Sequence, residues 1–311
     1  MRTLVVGAGA IGGYFGGRLV ETRRDVTFLV RPKRAAELAR EGLSIRSRFG
    51  DATISKPATV LAENLHEMFD LILLSCKAYD LEGALVSFAP AVGPHTVILP
   101  LLNGMRHLDI LDQRFGRDRV LGGQCLIAAA HNDGGIVHLN DTHEVSFGER
   151  DGALSDRVRA IAGLMEGARF KPRATTEILQ EMWEKWVFLA TLAGSTCLMR
   201  ATIGDICASP GGTAFILGLF QECGAIAAAE GYPMRAAQLQ RARSMLTATG
   251  ATLTASMLRD MERDAPIEAD HIIGDLLRRG NDRSIPLELP LLDLACTHLK
   301  AYEARRTRTL P

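Results

Sequence analysis

The chain has 311 residues, of which 47% are hydrophobic and 23% charged, and its 36 lysines and arginines equal its 36 aspartates and glutamates in number. This composition is typical of a folded globular protein and excludes a disordered chain, while the length favours two domains. The formal net charge of zero argues against a protein that binds nucleic acid through a broad basic surface.

The first 115 or so residues alternate short apolar runs with amphipathic segments. The apolar runs are rich in leucine or β-branched residues: TLVVG, DVTFLV, LILLSC and TVILPLL. Strands that are apolar on both faces belong to a parallel sheet covered by helices on both sides. Helical patterns lie between them, namely IGGYFGGRLVET, KRAAELAREG and YDLEGALVSFAP. The sequence therefore predicts a doubly wound α/β sheet.

A glycine motif, GAGAIG, follows the first predicted strand and opens the first predicted helix. In that context G-x-G-x-x-G indicates a dinucleotide-binding turn. The first glycine permits the tight turn, the second lets the backbone approach a pyrophosphate, and the third allows the helix to pack closely on the strand. The N–H groups at the helix start face the phosphates. We thus expect a Rossmann-type N-terminal domain whose turn binds the cofactor through Gly7, Gly9, Ala10, Ile11 and Gly12.

The residue after the second strand predicts which dinucleotide is bound. NAD is usually recognised by a carboxylate at this point, which accepts a hydrogen bond from the ribose 2′-hydroxyl. Here the residue is Arg31, followed by Lys33 and Arg34. A guanidinium binds a 2′-phosphate well. We therefore expect NADP(H), with Arg31 as the main contact and Lys33 or Arg34 as secondary candidates.

Two polar residues follow the next two predicted strands of this sheet. Lys77 lies in SCKAYD and Asn103 in LPLLNGM. The carboxyl ends of parallel strands form the ligand crevice of an open α/β sheet. Lys77 could instead be a solvated loop lysine, and Asn103 could belong to a plain turn. In the crevice, both would contact the cofactor or its substrate.

Residues 120–150 read as extended segments, LGGQCLIAAA, GIVHLN and HEVSFGE, separated by NDGG and NDT turns. We expect additional strands that close the first domain. His131, His138 and His143 lie here, but no carboxylate or cysteine completes a ligand set. No metal site is therefore predicted.

From about residue 155 strand signals disappear and helical patterns dominate. A boundary near 168–174, in ARFKPRATT, divides the chain into a cofactor domain at 1–170 and an all-helical substrate and catalytic domain at 171–311. In the latter, WEKWVFLATLA sets Lys185 into an apolar helix, where a charged side chain is costly without a partner. Lys185 is either a surface lysine or a reactive one.

No membrane segment is predicted. MRTLVVGAGA leads directly into a strand without the features of a signal peptide, and the apolar run FILGLF is too short to span a bilayer. The six cysteines form no CxxC pair and lie in apolar stretches, which is typical of buried thiols in a reducing compartment. We expect a cytoplasmic protein.

Taken together, GAGAIGG, Arg31, SCKAYD, LNGM, the ExWxK helix and SMLRDMERDAPIEADHIIG resemble the ketopantoate reductase family over essentially the whole chain. The resemblance implies NADPH-dependent reduction of a 2-oxo acid, 2-dehydropantoate in the first instance, to a 2-hydroxy acid. It assigns Lys185 and Glu268 as catalytic residues and places Asn103, Lys185 and Ser256 at the substrate. It also adds Lys77, Asn103 and Glu268 to the cofactor-binding residues.

These roles are chemically sensible. Hydride delivery to a ketone builds negative charge on its oxygen, which an ammonium group can stabilise and protonate. Apolar surroundings lower the pKa of a lysine, and a neighbouring carboxylate opposes that effect. The pair of Lys185 and Glu268 can meet these demands if both face the cleft.

The chain departs from the family at two positions on the face of the catalytic helix that carries Lys185. Asparagines are usual four and eight residues after the lysine, whereas this sequence has Leu189 and Ala193. Thr191, Ser195 and Thr196 are nearby but lie at a different helical phase. A more apolar oxo acid is therefore an alternative substrate, and a dehydrogenase for another hydroxy compound or a non-enzymatic NADP-binding protein are further alternatives. Exposed leucine and methionine residues on the last helices could support a homodimer.

Overall fold

The computed structural model describes residues 1–132, 135–283 and 286–309. They form two compact units. The first consists of Met1–Leu102 and His107–Ile178, and the second of Asn103–Arg106 and the chain from Leu179 onward. The first unit extends past the expected boundary at residue 170, because the segment that follows this boundary pairs with one of its sheets.

The first unit contains all the β-strands among the described residues and five helices. Its strands are β1 (Thr3–Val6), β2 (Val26–Leu29), β3 (Leu43–Arg46), β4 (Ala52–Ile54), β5 (Thr59–Val60), β6 (Phe69–Leu74), β7 (Val92–Pro100), β8 (Gly122–Asn132), β9 (Gly135–Gly148) and β10 (Lys171–Ala174). Its helices are α1 (Ala10–Glu21), α2 (Pro32–Glu41), α3 (Leu81–Phe88), α4 (Arg106–Phe115) and α5 (Asp156–Met165).

The first sheet confirms the predicted Rossmann-type arrangement. Its order is β5-β2-β1-β6-β7, and every pair in it is parallel. The chain leaves β1 toward one edge and later returns to the other side of β1. This produces a topological switch point between β1 and β6, where ligands bind in open α/β sheets.

The segments expected to close the first domain are strands, and they form a second sheet. Strand β9 pairs antiparallel with β8 along its length, and its other side pairs in parallel with β3 and then with β10. The predicted NDT turn is wrong, because β9 runs through these residues. The register shifts between Ile127 and Ala129, and the Asn140 side chain accepts the N–H of Ala128 at 2.9 Å. Residues that usually form turns therefore lie within a strand here, where the pairing of β8 and β9 is irregular.

The prediction that strands end near residue 155 is also wrong. The polar segment KPRA forms β10 at the edge of the second sheet, with Pro172 opposite Val145. A strand with proline and alternating charges carries no apolar signal, and sheet edges are where proline is tolerated.

Helix α1 lies between the two sheets, and its glycines explain how. A Cβ at Gly12 would lie 2.1 Å from the Gly7 carbonyl oxygen, on the side of the first sheet. A Cβ at the next residue, Gly13, would lie 2.2 Å from Cδ1 of Ile136 in β9. The pattern repeats one turn later at Gly16 and Gly17. Glycines in pairs thus let one helix pack closely on both of its faces.

The second unit is helical. Its elements are α6 (Ile178–Met199), α7 (Ile203–Ala208), α8 (Gly212–Ala229), α9 (Ala236–Leu246), α10 (Ser256–Glu262), a π-helical turn (Asp270–Gly274, the π turn), α11 (Asp275–Asn281) and α12 (Pro290–Thr309). The predicted all-helical C-terminal region is therefore confirmed from α6 onward.

Within the part of the chain that is described, one helix, α8, is long and apolar enough to cross a membrane by length and composition. The run FILGLF, judged too short alone, is part of this longer helix. Core helices pass the same test, and α8 packs Ile216, Leu219 and Cys223 into the unit. Its Glu222 carboxylate accepts the main-chain N–H groups of Leu291 and Leu292 at the start of α12, at 3.1 and 2.8 Å.

The glycine motif offers a matched pair of substitutions. Gly12→Ala should lower the free energy of unfolding by about 2 kcal/mol or more, because overpacking moves main chain that is already in contact. Gly9→Ala should leave stability within about 0.5 kcal/mol, because no atom lies within 4 Å of the added Cβ. Chemical denaturation measures both, and equal losses for the two variants would contradict the packing argument.

Candidate active site

The glycine loop after β1 is shaped to receive a pyrophosphate. Gly7 has a φ of +92°, and Ser75 at the end of β6 donates to the Val6 carbonyl oxygen at 2.9 Å. The space around Gly9 is open. Helix α1 begins without a side-chain cap and without an acidic residue in its first turn. Its N–H groups, which no side chain caps, and its positive dipole end therefore fit a dinucleotide phosphate.

The three basic candidates after β2 separate into different environments. The Arg31 side chain is 76% exposed, and its Nη2 lies 2.5 Å from Oδ1 of Asp80. Arg34 turns back, and its Nε donates to the Ala8 carbonyl oxygen at 3.1 Å. Lys33 is exposed. The Arg31 side chain is thus exposed to solvent, whereas Arg34 is bonded to the main chain of the glycine loop.

Lys77 lies after β6, at the start of a short 3₁₀ turn. It is half-buried, and its carbonyl oxygen accepts the N–H of Asp80 at 2.9 Å. The ends of β2 and β6 therefore bring Arg31 and Asp80 together, with Lys77 in the same turn. The role of Lys77 in the cofactor or substrate site remains a prediction.

Helix α6 places Lys185 between two buried neighbours. Lys185 is half-buried, whereas Glu184 and Trp186 are 6% and 1% exposed. Glu184 accepts from Arg235 three times: from its main-chain N–H at 2.9 Å, from Nε at 2.8 Å and from Nη2 at 2.6 Å. Burial raises the pKa of the Glu184 carboxyl, but these hydrogen bonds outweigh it and hold the pKa below its ordinary value. The pair fixes α6 to the start of α9.

Glu268 lies just before the π turn, and it is half-buried. Its carbonyl oxygen accepts the N–H of Ile272 at 3.0 Å. The indole N–H of Trp186 donates to the Ile272 carbonyl oxygen at 2.9 Å. π-Helical turns are rare and frequently occur at functional sites. One hydrogen bond thus connects the helix of Lys185 to the turn that follows Glu268.

Asn103 is tied to the same turn through His271. The imidazole is 6% exposed and forms a hydrogen bond with the main chain of Asn103. The next residue, Gly104, has a φ of +74°, and a Cβ there would lie 2.9 Å from the His271 carbonyl oxygen. Asn103, Lys185 and Glu268 therefore all belong to elements of the second unit that contact the π turn directly.

Ser256, the remaining predicted substrate residue, is exposed at the start of α10. The preceding residue, Ala255, donates its N–H to Oγ1 of Thr196 on α6 at 3.3 Å. The start of α10 is therefore joined to α6. The contact of Ser256 with a substrate carboxylate remains a prediction.

The hydroxyl groups that could replace the missing asparagine amides are already used. Thr191, Ser195 and Thr196 are fully buried. Their hydroxyls donate to main-chain carbonyl oxygens of α6 at 2.8, 2.7 and 2.6 Å. A hydroxyl has a single proton to donate. Beside Lys185, the side chains of Leu189 and Ala193 therefore offer no donor, and these three hydroxyls do not replace the asparagine amides.

No group of three or more histidine, cysteine, aspartate or glutamate side chains that could hold a metal occurs in the described ranges. Among the histidines noted above, His143 and His138 form hydrogen bonds. His143 Nδ1 lies 3.0 Å from the Tyr14 hydroxyl, and His138 Nδ1 lies 3.0 Å from Oγ of Ser47. These rings belong to the contact between α1 and the second sheet.

Several residues that contact candidate site residues or their helices, each within its own unit, were not singled out from the sequence. They are the buried Glu184, the indole of Trp186, the imidazole of His271 and the carboxylate of Asp80. The two tryptophans flanking the WEKW lysine were a usable signal, since a buried indole usually needs an acceptor. The partners of the other three are distant along the chain, so no local pattern identifies them.

Two family models match most of the chain. The model described as "Ketopantoate reductase PanE/ApbA" matches residues 3–152, and the corresponding C-terminal model matches residues 177–303. The resemblance noted in the sequence is thereby confirmed.

Individual proteins agree with these matches. The chain is 36% identical over 307 residues to the uncharacterized oxidoreductase YkpB of Bacillus subtilis, covering 98% of this chain and 100% of that protein. It is similar to the crystal structure of 2-dehydropantoate 2-reductase from Geobacter metallireducens, with a TM-score of 0.86, 27% identity and coverage of 97% and 99%. The ternary structure of D-mandelate dehydrogenase with NADH and anilino(oxo)acetate shares the fold, with a TM-score of 0.87, 20% identity and coverage of 99% and 100%.

The hydrogen bond from Trp186 to Ile272 can be tested by Trp186→Phe. The substitution removes the indole donor from a buried carbonyl oxygen, so we expect the free energy of unfolding to fall by about 0.5–1.5 kcal/mol beyond the loss of ring volume. Trp183→Phe is the control, because it makes the same change in the neighbouring indole, which stacks on Tyr232. Urea denaturation compares the two, and equal losses would show that the bond to Ile272 contributes nothing specific.

The stability of the fold should decrease in mild acid. Burial lowers the pKa of the His271 imidazole, and Glu268 and Asp275 oppose this only partly. The unfolded chain then takes up a proton near pH 6.5, whereas the folded chain takes it up only at lower pH, so the free energy of unfolding falls as the pH drops below about 6.5. His271→Asn should flatten this dependence, whereas His95→Gln, which removes an exposed imidazole, should preserve it. Denaturation at pH 5 to 8 measures the slopes, and an unchanged slope in His271→Asn would contradict the assignment.

Proposed function

This chain belongs to the ketopantoate reductase family, and on that basis we propose that it reduces a 2-oxo acid to a 2-hydroxy acid with NADPH. The observation that carries the proposal is the hydrogen bond between Trp186 and Ile272. It joins the helix that presents Lys185 to the turn that follows Glu268, and these are the two side chains that the reaction needs.

The residues of the glycine loop suit a bound dinucleotide. Gly7, Gly9 and Gly12 would receive the pyrophosphate at the start of α1, and Arg31 would contact the 2′-phosphate. When bound, the reduced nicotinamide supplies the hydride for the carbonyl carbon of the substrate. The open space at Gly9 and the uncapped helix start support this assignment.

The remaining chemistry belongs to side chains of the second unit. The ammonium of Lys185 stabilises the charge that develops on the substrate oxygen and donates a proton from Nζ. The carboxylate of Glu268 favours the charged form of the lysine. Asn103 orients substrate and cofactor through its amide, and Ser256 binds the substrate carboxylate.

The apolar face at Leu189 and Ala193 bears on the choice of oxo acid. Ketopantoate is the first substrate to test, because the family is named for it. A polar substrate group against this face would lose about 1–3 kcal/mol if left unpaired. A more apolar 2-oxo acid is therefore the second candidate, and the shared fold of D-mandelate dehydrogenase is a reason to include an aromatic one.

The cysteines and the exposed apolar residues support a proposal for the compartment and the oligomeric state of the protein. All six cysteines are free thiols, which is typical of a reducing compartment such as the cytoplasm. Leu239 and Met245 on α9 and Leu294 on α12 are exposed, and a homodimer would cover residues of this kind. The oligomeric state is measurable by sedimentation.

The proposal is tested by NADPH oxidation with a panel of ketopantoate, aliphatic and aromatic 2-oxo acids, and 3-oxo acids. We expect turnover with at least one 2-oxo acid. Lys185→Ala should lower kcat/KM by about 10²–10⁴-fold, because it removes the proton donor. Lys56→Ala, which removes an exposed lysine, should change it little. Turnover with 3-oxo acids alone would replace the proposed reaction, and a fully active Lys185→Ala variant would remove the catalytic assignment.

A further inference from the structure

The side chain of Asp80 lies against the arginine assigned to the 2′-phosphate. Oδ1 of Asp80 is 2.5 Å from Nη2 of Arg31, and the two side chains are 33% and 76% exposed. The hydrogen bond that Arg31 donates to this carboxylate raises the pKa of the guanidinium. The exposed arginine of the cofactor site is therefore already paired with an anion that belongs to the protein.

The carboxylate is directed to Arg31 and away from its own helix. Asp80 is the N-cap residue of α3, a position where aspartate usually accepts a main-chain N–H of the first turn. Here no such cap hydrogen bond is made. The 3₁₀ turn that begins after Lys77 holds the Asp80 main chain in place, with Asp80 N–H bonded to the Lys77 carbonyl oxygen.

The two other basic residues after β2, Arg34 and Lys33, differ in whether they are free to balance the negative charge of Asp80. The Arg34 guanidinium is engaged by the Ala8 carbonyl oxygen and by Glu37, whereas Lys33 is exposed on α2. A 2′-phosphate arriving at Arg31 must therefore share the guanidinium with a carboxylate of the same sign of charge. A 2′-hydroxyl in its place is neutral and can donate a hydrogen bond to that carboxylate.

We propose that Asp80 is a specificity-determining residue, which reduces the preference of the site for NADPH over NADH. Its carboxylate competes with the 2′-phosphate of NADPH for Arg31, and it accepts a hydrogen bond from the 2′-hydroxyl of NADH. This inference rests on the proposed dinucleotide site. It predicts that the dissociation constants of the parent protein for NADH and NADPH differ only modestly.

The test is the ratio of the dissociation constants for NADH and NADPH, measured by nucleotide fluorescence without any oxo acid. Asp80→Asn should tighten NADPH, weaken NADH and raise the ratio by about tenfold or more, since it removes a repulsion from one cofactor and a charge-assisted acceptor from the other. Asp80→Ala is the second variant and should also tighten NADPH. Glu82→Gln is the matched control, because it removes an exposed carboxylate two residues away on α3 and should leave the ratio unchanged.

Arg31→Ala completes the set. If Asp80 acts through Arg31, the effect of Asp80→Asn on NADPH affinity should be much smaller in an Arg31→Ala background. A ratio that stays within twofold of the parent in both Asp80 variants overturns the inference while leaving the dinucleotide site intact. If the parent binds neither nucleotide, the proposed function itself fails, and this inference fails with it.

Discussion

One hydrogen bond in the second unit, from the indole of Trp186 to the carbonyl oxygen of Ile272, relates the elements that carry the candidate catalytic residues. A π-helical turn interrupts the regular hydrogen bonding of a helix, and the indole supplies a donor to a carbonyl oxygen of this turn. The bond is buried, so it is not exchanged for water without cost. It joins α6 to the segment after Glu268, and His271 in the same turn holds the main chain of Asn103. Three candidate site residues are thus related through a single short turn.

The buried carboxylates near this hydrogen bond are paired with arginines. Asp275 is fully buried and is bonded by Arg278 and Arg279, and the Arg279 guanidinium lies over the rings of Trp183 and Trp186. On the other side of Lys185, Glu184 is satisfied by Arg235. The carboxylate next to the lysine in sequence, that of Glu184, therefore has a structural role, because Arg235 binds it. Glu268, distant in sequence, is the carboxylate that the family resemblance implies as the partner of the lysine.

The first unit is governed by a different constraint, the space around α1. Gly12 and Gly16 admit the first sheet, and Gly13 and Gly17 admit the second. The start of the same helix is open at Gly9, where we propose that a cofactor phosphate binds. The glycines of this segment are therefore restricted by packing, and in our proposal Gly9 is restricted by binding. Around its open end, Arg34 supports the loop while Arg31 and Asp80 together define the charge that a cofactor ribose would meet.

The sequence alone determined the parallel sheet, the glycine turn, the helical second half and the family, because each depends on local periodicity or on motifs in a fixed order. It also indicated Lys185 and the apolar substitutions at Leu189 and Ala193. It did not indicate that β8 and β9 form a second sheet, that KPRA is a strand, or that the paired glycines of α1 face two sheets. Nor did it relate Asp80 to Arg31 or His271 to Asn103. Those features are contacts between segments far apart in the chain, and only the tertiary structure decides which surfaces meet.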